Sequence, residues 1–192
     1  MTSKDLIFSK IKGHTHHQYG KPQMNLMPMS FNDKMKSFIE ISQAVGGAAI
    51  VLEKDKDINE LIKELYPEAK TIASNIPLIT CRTMNPDELE DATALNGTDL
   101  GVVQGIFGVV ENGAVWIRQS VKHKAIYFIS EALVILLDKT HLVNTMHEAY
   151  AQPDFNDYDF GCFIAGPSKT ADIEQALVIG AHGAKKVTVI LT

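Results

Sequence analysis

The sequence predicts an α/β fold, a layered and mostly parallel sheet with helices on both faces. Three observations predict it. Continuous apolar runs at 48–52 and 133–137, with a strongly β-branched run at 187–191, read as strands buried in the sheet, because a half-exposed strand would alternate apolar with polar residues. Between the runs, apolar residues recur at helical spacing, and alternating strand and helix signals are those of a layered sheet. A chain of 192 residues, 45% hydrophobic and 21% charged, is long enough and apolar enough for one α/β domain with a full core.

In chain order, residues 1–30 read as an N-terminal arm and 31–192 as a single domain. Gly13, Gly20, Pro22 and Pro28 punctuate the arm, and a short helix is expected near Leu6, Ile7 and Phe8. His14, His16 and His17 lie close together there. No regular element fixes their geometry and no Cys or carboxylate completes a set, so no metal site is expected. Ser30, with Asp33 three residues on, opens a helix over 30–45 whose buried face is Phe31, Met35, Phe38, Ile39 and Ser42 or Val45. Gly46 and Gly47 stop it. The run 48–52 is a strand, 57–66 an amphipathic helix ended by Pro67, and 71–73 a short strand. Leu78-Ile79-Thr80 is a strand or an extended connector, and Asn85-Pro86 caps a helix start in an acidic patch that runs to Asp91. Lys122, His123 and Lys124 form a small basic cluster, read either as an exposed turn or as an anion donor. A strand at 133–137 and a helix opening at Asp138 follow, and the final strand, Val187-Thr188-Val189-Ile190-Leu191, belongs inside the sheet.

Two stretches carry candidate chemistry. From 99 to 117 two apolar runs meet at Glu111-Asn112-Gly113, and Asn-Gly favours a tight turn because both residues tolerate positive φ. Glu111 is then either a solvent-facing turn residue or a reactive carboxylate on a rigid corner. Gly105 and its neighbouring glycines allow close backbone approach by a ligand, without a dinucleotide fingerprint. From 163 to 183 the pattern reads as strand, tight turn at Gly166-Pro167, and a helix capped by Ser168 or Thr170. Ile173, Ala176, Leu177 and Gly180 would form its packed face. A helix start there, with Asp172 in its first turn and Lys169 beside it, suits a carboxylate or phosphate; the same pattern also suits an ordinary capped helix.

Composition excludes other classes. A net charge of −5 offers no electrostatic footprint for nucleic acid. No apolar run is long enough to span a membrane, and the start lacks a signal-peptide core, so a cytoplasmic location is expected. The cysteines are two, Cys81 and Cys162, without a C-x-x-C, which argues against a self-contained iron–sulfur site and for buried apolar roles.

Gly166-Pro167-Ser168-Lys169-Thr170-Ala171-Asp172-Ile173-Glu174, followed by Gly180-Ala181-His182-Gly183, resembles the C-terminal signature of the lactate-utilisation protein C family, also called the LUD domain. The family's usual form has Arg at the place of Lys169 and Pro at that of Ala184. Weaker similarity reaches back to about Phe31. At the earlier turn the family usually reads Glu-Thr-Gly-Thr; this chain keeps Glu111 and Gly113 but has Asn112 and Ala114. The resemblance implies a fold similar to ribose-5-phosphate isomerases and CoA transferases. It implies a non-redox accessory subunit that acts with iron–sulfur, flavin and other lactate-utilisation proteins to convert L-lactate to pyruvate, with no cofactor of its own. The implied ligand is a small carboxylate or phosphate, held by Gly105, Asn112, Gly113, Gly166, Ser168, Lys169, Thr170 and Asp172, with Glu174, His182 and Gly183 as structural signature. The Glu111 and Ser168 turns are expected to face one pocket at the carboxyl edge of the sheet. Glu-Asn-Gly is also similar to the nucleophile motif of class I CoA transferases. One alternative is therefore a transferase- or isomerase-like enzyme in which Glu111 attacks an acyl-thioester. Another is a ligand-sensing or assembly protein without chemistry.

Overall fold

Apolar runs become strands where the sequence places them. The computed structural model describes residues 2–15, 20, 29–152, 159–173 and 176–192. In chain order its elements are α1 (Ser3–His14), α2 (Lys34–Ala44), β1 (Ala48–Val51), α3 (Ile58–Leu65), β2 (Ile72–Ala73), β3 (Leu100–Gln104), β4 (Phe107–Val109), β5 (Ala114–Arg118), α4 (Ile126–Ile129), β6 (Ala132–Leu137), β7 (Leu142–Val143), α5 (Met146–Tyr150), β8 (Gly161–Ile164), β9 (Lys169–Ile173), β10 (Ala176–Ile179) and β11 (Lys186–Leu191). A five-stranded sheet in the order β1-β11-β6-β3-β2 is parallel at every pairing. The β-branched final strand β11 lies inside it.

Side-chain alternation along β6 shows why this strand has no polar residue. Leu133, Ile135 and Leu137 enter the cluster that holds Phe38 of α2. Ala132, Val134 and Leu136 enter the opposite cluster, with Ile58, Leu61 and Ile62 of α3. Both faces are covered, so period-2 alternation vanishes from the sequence. Asp57 caps α3 by accepting from the Asn59 and Glu60 amides.

The run 99–117 divides between two sheets. β3 is central, whereas β4 and β5 belong to a second, four-stranded sheet of order β7-β4-β5-β8. Gly105 stands at the crossing and donates its N–H to Leu136 O. A Cβ there would meet Val115 Cγ1 at 2.5 Å and Ile135 Cγ2 at 3.0 Å, so only glycine fits. One side of this second sheet joins the α2 cluster through Val115 and Ile117. The other side, with Phe107, Trp116 and Phe163, packs under α5 through Ala149 and Met146.

Several expected boundaries move. α2 is capped by Asp33, which accepts from the Lys36 amide, and not by Ser30. Leu78 and its neighbours form turns, not a strand. No helix opens at Asp138: its carboxylate closes a turn onto Thr140, and α5 starts at Met146 behind the cap Thr145. The helix expected from Ser168 is instead an antiparallel hairpin of β9 and β10. Ile173, Ala176 and Leu177 do match a helical period. However, Thr170 and the β-branched pair Val178-Ile179 favour extended backbone, and the chain ends of the hairpin are zipped together. Ser168 N–H donates to Ala184 O at 2.9 Å, and Gly180 N–H donates to Ser168 O at 2.8 Å. The short helix near Leu6 is the longer α1, with Leu6, Ile7, Phe8 and Ile11 all exposed. His16, His17 and Glu174 lie outside the described residues.

Candidate functional site

The hairpin removes the helix start on which an anion site at Ser168 depended. Gly166 makes the turn after β8 at φ 65°, and a Cβ there would approach Val45 O to 2.8 Å, so the left-handed glycine and its fit are both required. Lys169 Nζ donates to Val45 O at 2.5 Å, which places its charge at the carboxyl end of the α2 dipole. Thr170 pairs with Val178 across the hairpin, and Asp172 lies in β9.

Glu111 lies in a 3₁₀ turn, Val110–Asn112, ended by Gly113 at φ 67°. Its Oε1 accepts the Met146 N–H at 2.6 Å, so the half-buried carboxylate sits at the first amide of α5. Asn112 Oδ1 accepts the Ala114 N–H, which closes the turn. The backbone N–H groups of Gly105 and Gly108 donate to Leu136 O and His141 O. Both candidate turns close on the carboxyl end of α2. Gly113 abuts Ser42, whose buried Oγ has no hydrogen-bond partner among the described residues, and Gly166 abuts Val45 and Gly47. That end leads directly into β1. The Gly166 turn therefore lies at the amino edge of the central sheet and not at its carboxyl edge, whereas the Glu111 turn lies beside α2 in the second sheet, its N–H donating to Asn144 O.

The large groove is at the same amino edge. It encloses about 1110 Å³ and is floored by Asp99, Glu131 and Lys185, the residues just before β3, β6 and β11. One wall is the loop before α4, with Lys122, His123 and Lys124. The other is the turn 180–183, which contains His182 and Gly183 of the signature. A smaller cavity of about 230 Å³ continues from it past Phe128 and His182 to Gly166 and Ser168.

Hydrogen bonding fixes the groove's charges. Asp99 accepts from the Lys70 and Thr71 amides and from Thr71 Oγ1. These bonds, the Thr71 amide first, hold its carboxyl below the ordinary value. Lys122 Nζ and His123 Nε2 both reach Leu89 O, at 2.7 and 3.0 Å. Lys185 Nζ pairs with Glu131 at 3.1 Å. Lys124 Nζ stands 4.8 Å over the Phe160 ring. Burial raises the Tyr127 hydroxyl and the Cys162 thiol. Among the described residues no group of three or more His, Cys, Asp or Glu is placed to hold a metal ion. No helix among them is long and apolar enough to cross a membrane.

Sequence spacing singled out Lys122, His123, Lys124, His182 and Gly183 but not the groove that joins them. Asp99, Phe128, Glu131 and Lys185 were missed, because parallel strands align residues from distant parts of the chain. The available signal was a charged residue just before each of three strands.

Comparison with known proteins agrees with the signature. Residues 88–192 match the LUD domain, more than half of the chain. A lactate utilization protein C from Oceanobacillus iheyensis is 28% identical over 110 residues, 53% of this chain and 47% of that protein. One from Geobacillus kaustophilus is 26% identical over 161 residues, 77% of this chain and 64% of that protein. The chain thus spans about half to two thirds of the length of these relatives. In fold, it is similar to the crystal structure of a DUF162 family protein from Deinococcus radiodurans, with TM-score 0.64 and 15% identity over 85% of this chain and 99% of the other. By its signature and by the extent of the domain match, this chain belongs to the LUD domain family.

Proposed function

We propose that the chain is an accessory subunit of a system that oxidises L-lactate to pyruvate. In this reading it has no redox centre of its own, binds an anionic metabolite and docks on iron–sulfur and other lactate-utilisation proteins. The relatives named lactate utilization protein C support the role in lactate use. The observation that carries a ligand-binding function is the groove: the family's His182-Gly183 turn forms one wall and the Lys122-His123-Lys124 loop the other. A ligand there would touch the signature turn and the Lys122-His123-Lys124 loop together. The geometry gives the transferase reading no support, since the Glu111 carboxylate already serves the α5 amide. The test is affinity capture of the tagged full chain from lactate-grown cells, with captured proteins identified and assayed for lactate-dependent dye reduction. The reading predicts co-capture of an iron–sulfur protein that reduces dye with L-lactate. Turnover of a lactate-independent reaction by the chain alone, lost in Glu111→Gln, would overturn it.

A further inference from the structure

The groove at the amino edge is larger than a three-carbon acid requires. Its volume of about 1110 Å³ lies just above the range of clefts holding drug-sized ligands, roughly 300–1,000 Å³. Its lining is divided by chemistry. Lys122 and Lys124 supply ammonium groups, while Phe128 and Ile129 line the same groove with 42% and 43% of their surface exposed. Exposed large apolar side chains beside lysines call for a ligand with both a ring and an anionic part. The two carboxylates in the lining are already engaged, Asp99 by the Lys70–Thr71 backbone and Glu131 by Lys185. Asp87 and Asp91 stand outside the lining. Asp87 Oδ1 accepts the Lys122 N–H and Asp91 caps the Thr93 amide.

We infer that this groove binds an organic phosphate of nucleotide size, with its phosphates against Lys122 and Lys124 and its ring against Phe128 and Ile129. The inference rests on the groove being the protein's ligand site and names the class of ligand that it takes. Lysines hold phosphate oxygens as point charges, and an aromatic side chain gives a base a stacking surface. His182, on the opposite wall, adds a ring N–H.

Titration calorimetry of the full chain at low salt tests this, with ADP as probe and inorganic phosphate and L-lactate as comparators. ADP is expected to saturate one site at least tenfold more tightly than phosphate, and to weaken as salt rises. Phe128→Ala should lower ADP affinity roughly tenfold and leave phosphate unchanged. Lys124→Gln should lower both. The unliganded melting point of each variant shows whether it is folded, and Lys122→Gln serves if Lys124→Gln is not. ADP binding no tighter than phosphate, or insensitive to Phe128→Ala and to the lysine changes, overturns the inference. Failure with ADP while lactate-linked capture persists sinks the ligand class alone; ADP binding without such capture sinks the accessory role alone.

Discussion

Glu111 and Lys169 looked like ligand groups in sequence, and in the structure both serve helix ends. Glu111 accepts the first amide of α5, and Lys169 donates to the last turn of α2. Glu111→Ala should therefore destabilise the fold by about 1 kcal/mol, read from the denaturant midpoint. Glu111→Gln, which retains an acceptor, should cost clearly less. A catalytic Glu111 would give the opposite pattern, with Gln inactive and both variants as stable as wild type. Asp99 gives a pH signature. Its folded pKa is depressed, so its contribution is present above the unfolded value, about 3.9, and is lost as pH falls through the folded value. Asp99→Asn should lower the melting point at pH 6–7, and the gap to wild type should close as pH drops below about 3.9. A gap that is constant with pH would contradict the account.

At the scale of elements, central strands were legible because burial on both faces writes continuous apolar runs. The cap of the 86–88 turn was legible because Asn85 acts locally. The second sheet was not legible. β4 looks like a continuation of β3, and the crossing between them shows only in the steric need at Gly105. The signature hairpin was misread because its residues satisfy a helical period, while the contacts that decide it, Ser168 with Ala184 and Gly180, lie outside any local window. Gly105→Ala should cost roughly 1–3 kcal/mol by overpacking Val115 and Ile135, measured by chemical unfolding. Phe38, fully buried between α2 and both sheets, should cost about 3–5 kcal/mol as Phe38→Ala. A cost below about 1 kcal/mol would show that the cluster around it is loosely packed.

For the whole molecule, the sequence showed the family signature but not where the signature leads. Its Gly166 end closes on α2, and its His182-Gly183 end walls the groove over Asp99, Glu131 and Lys185. That assembly depends on three parallel strands starting in register, which no local spacing reveals. The chain carries −5 overall, and the groove combines Lys122, Lys124 and Lys185 with Asp99 and Glu131. The central claim is that this chain serves lactate oxidation, and growth with L-lactate as sole carbon source tests it most directly. Deletion of the gene should abolish that growth while leaving growth on pyruvate intact, and the full chain supplied in trans should restore it. A deletion strain that consumes L-lactate at the wild-type rate would contradict the account.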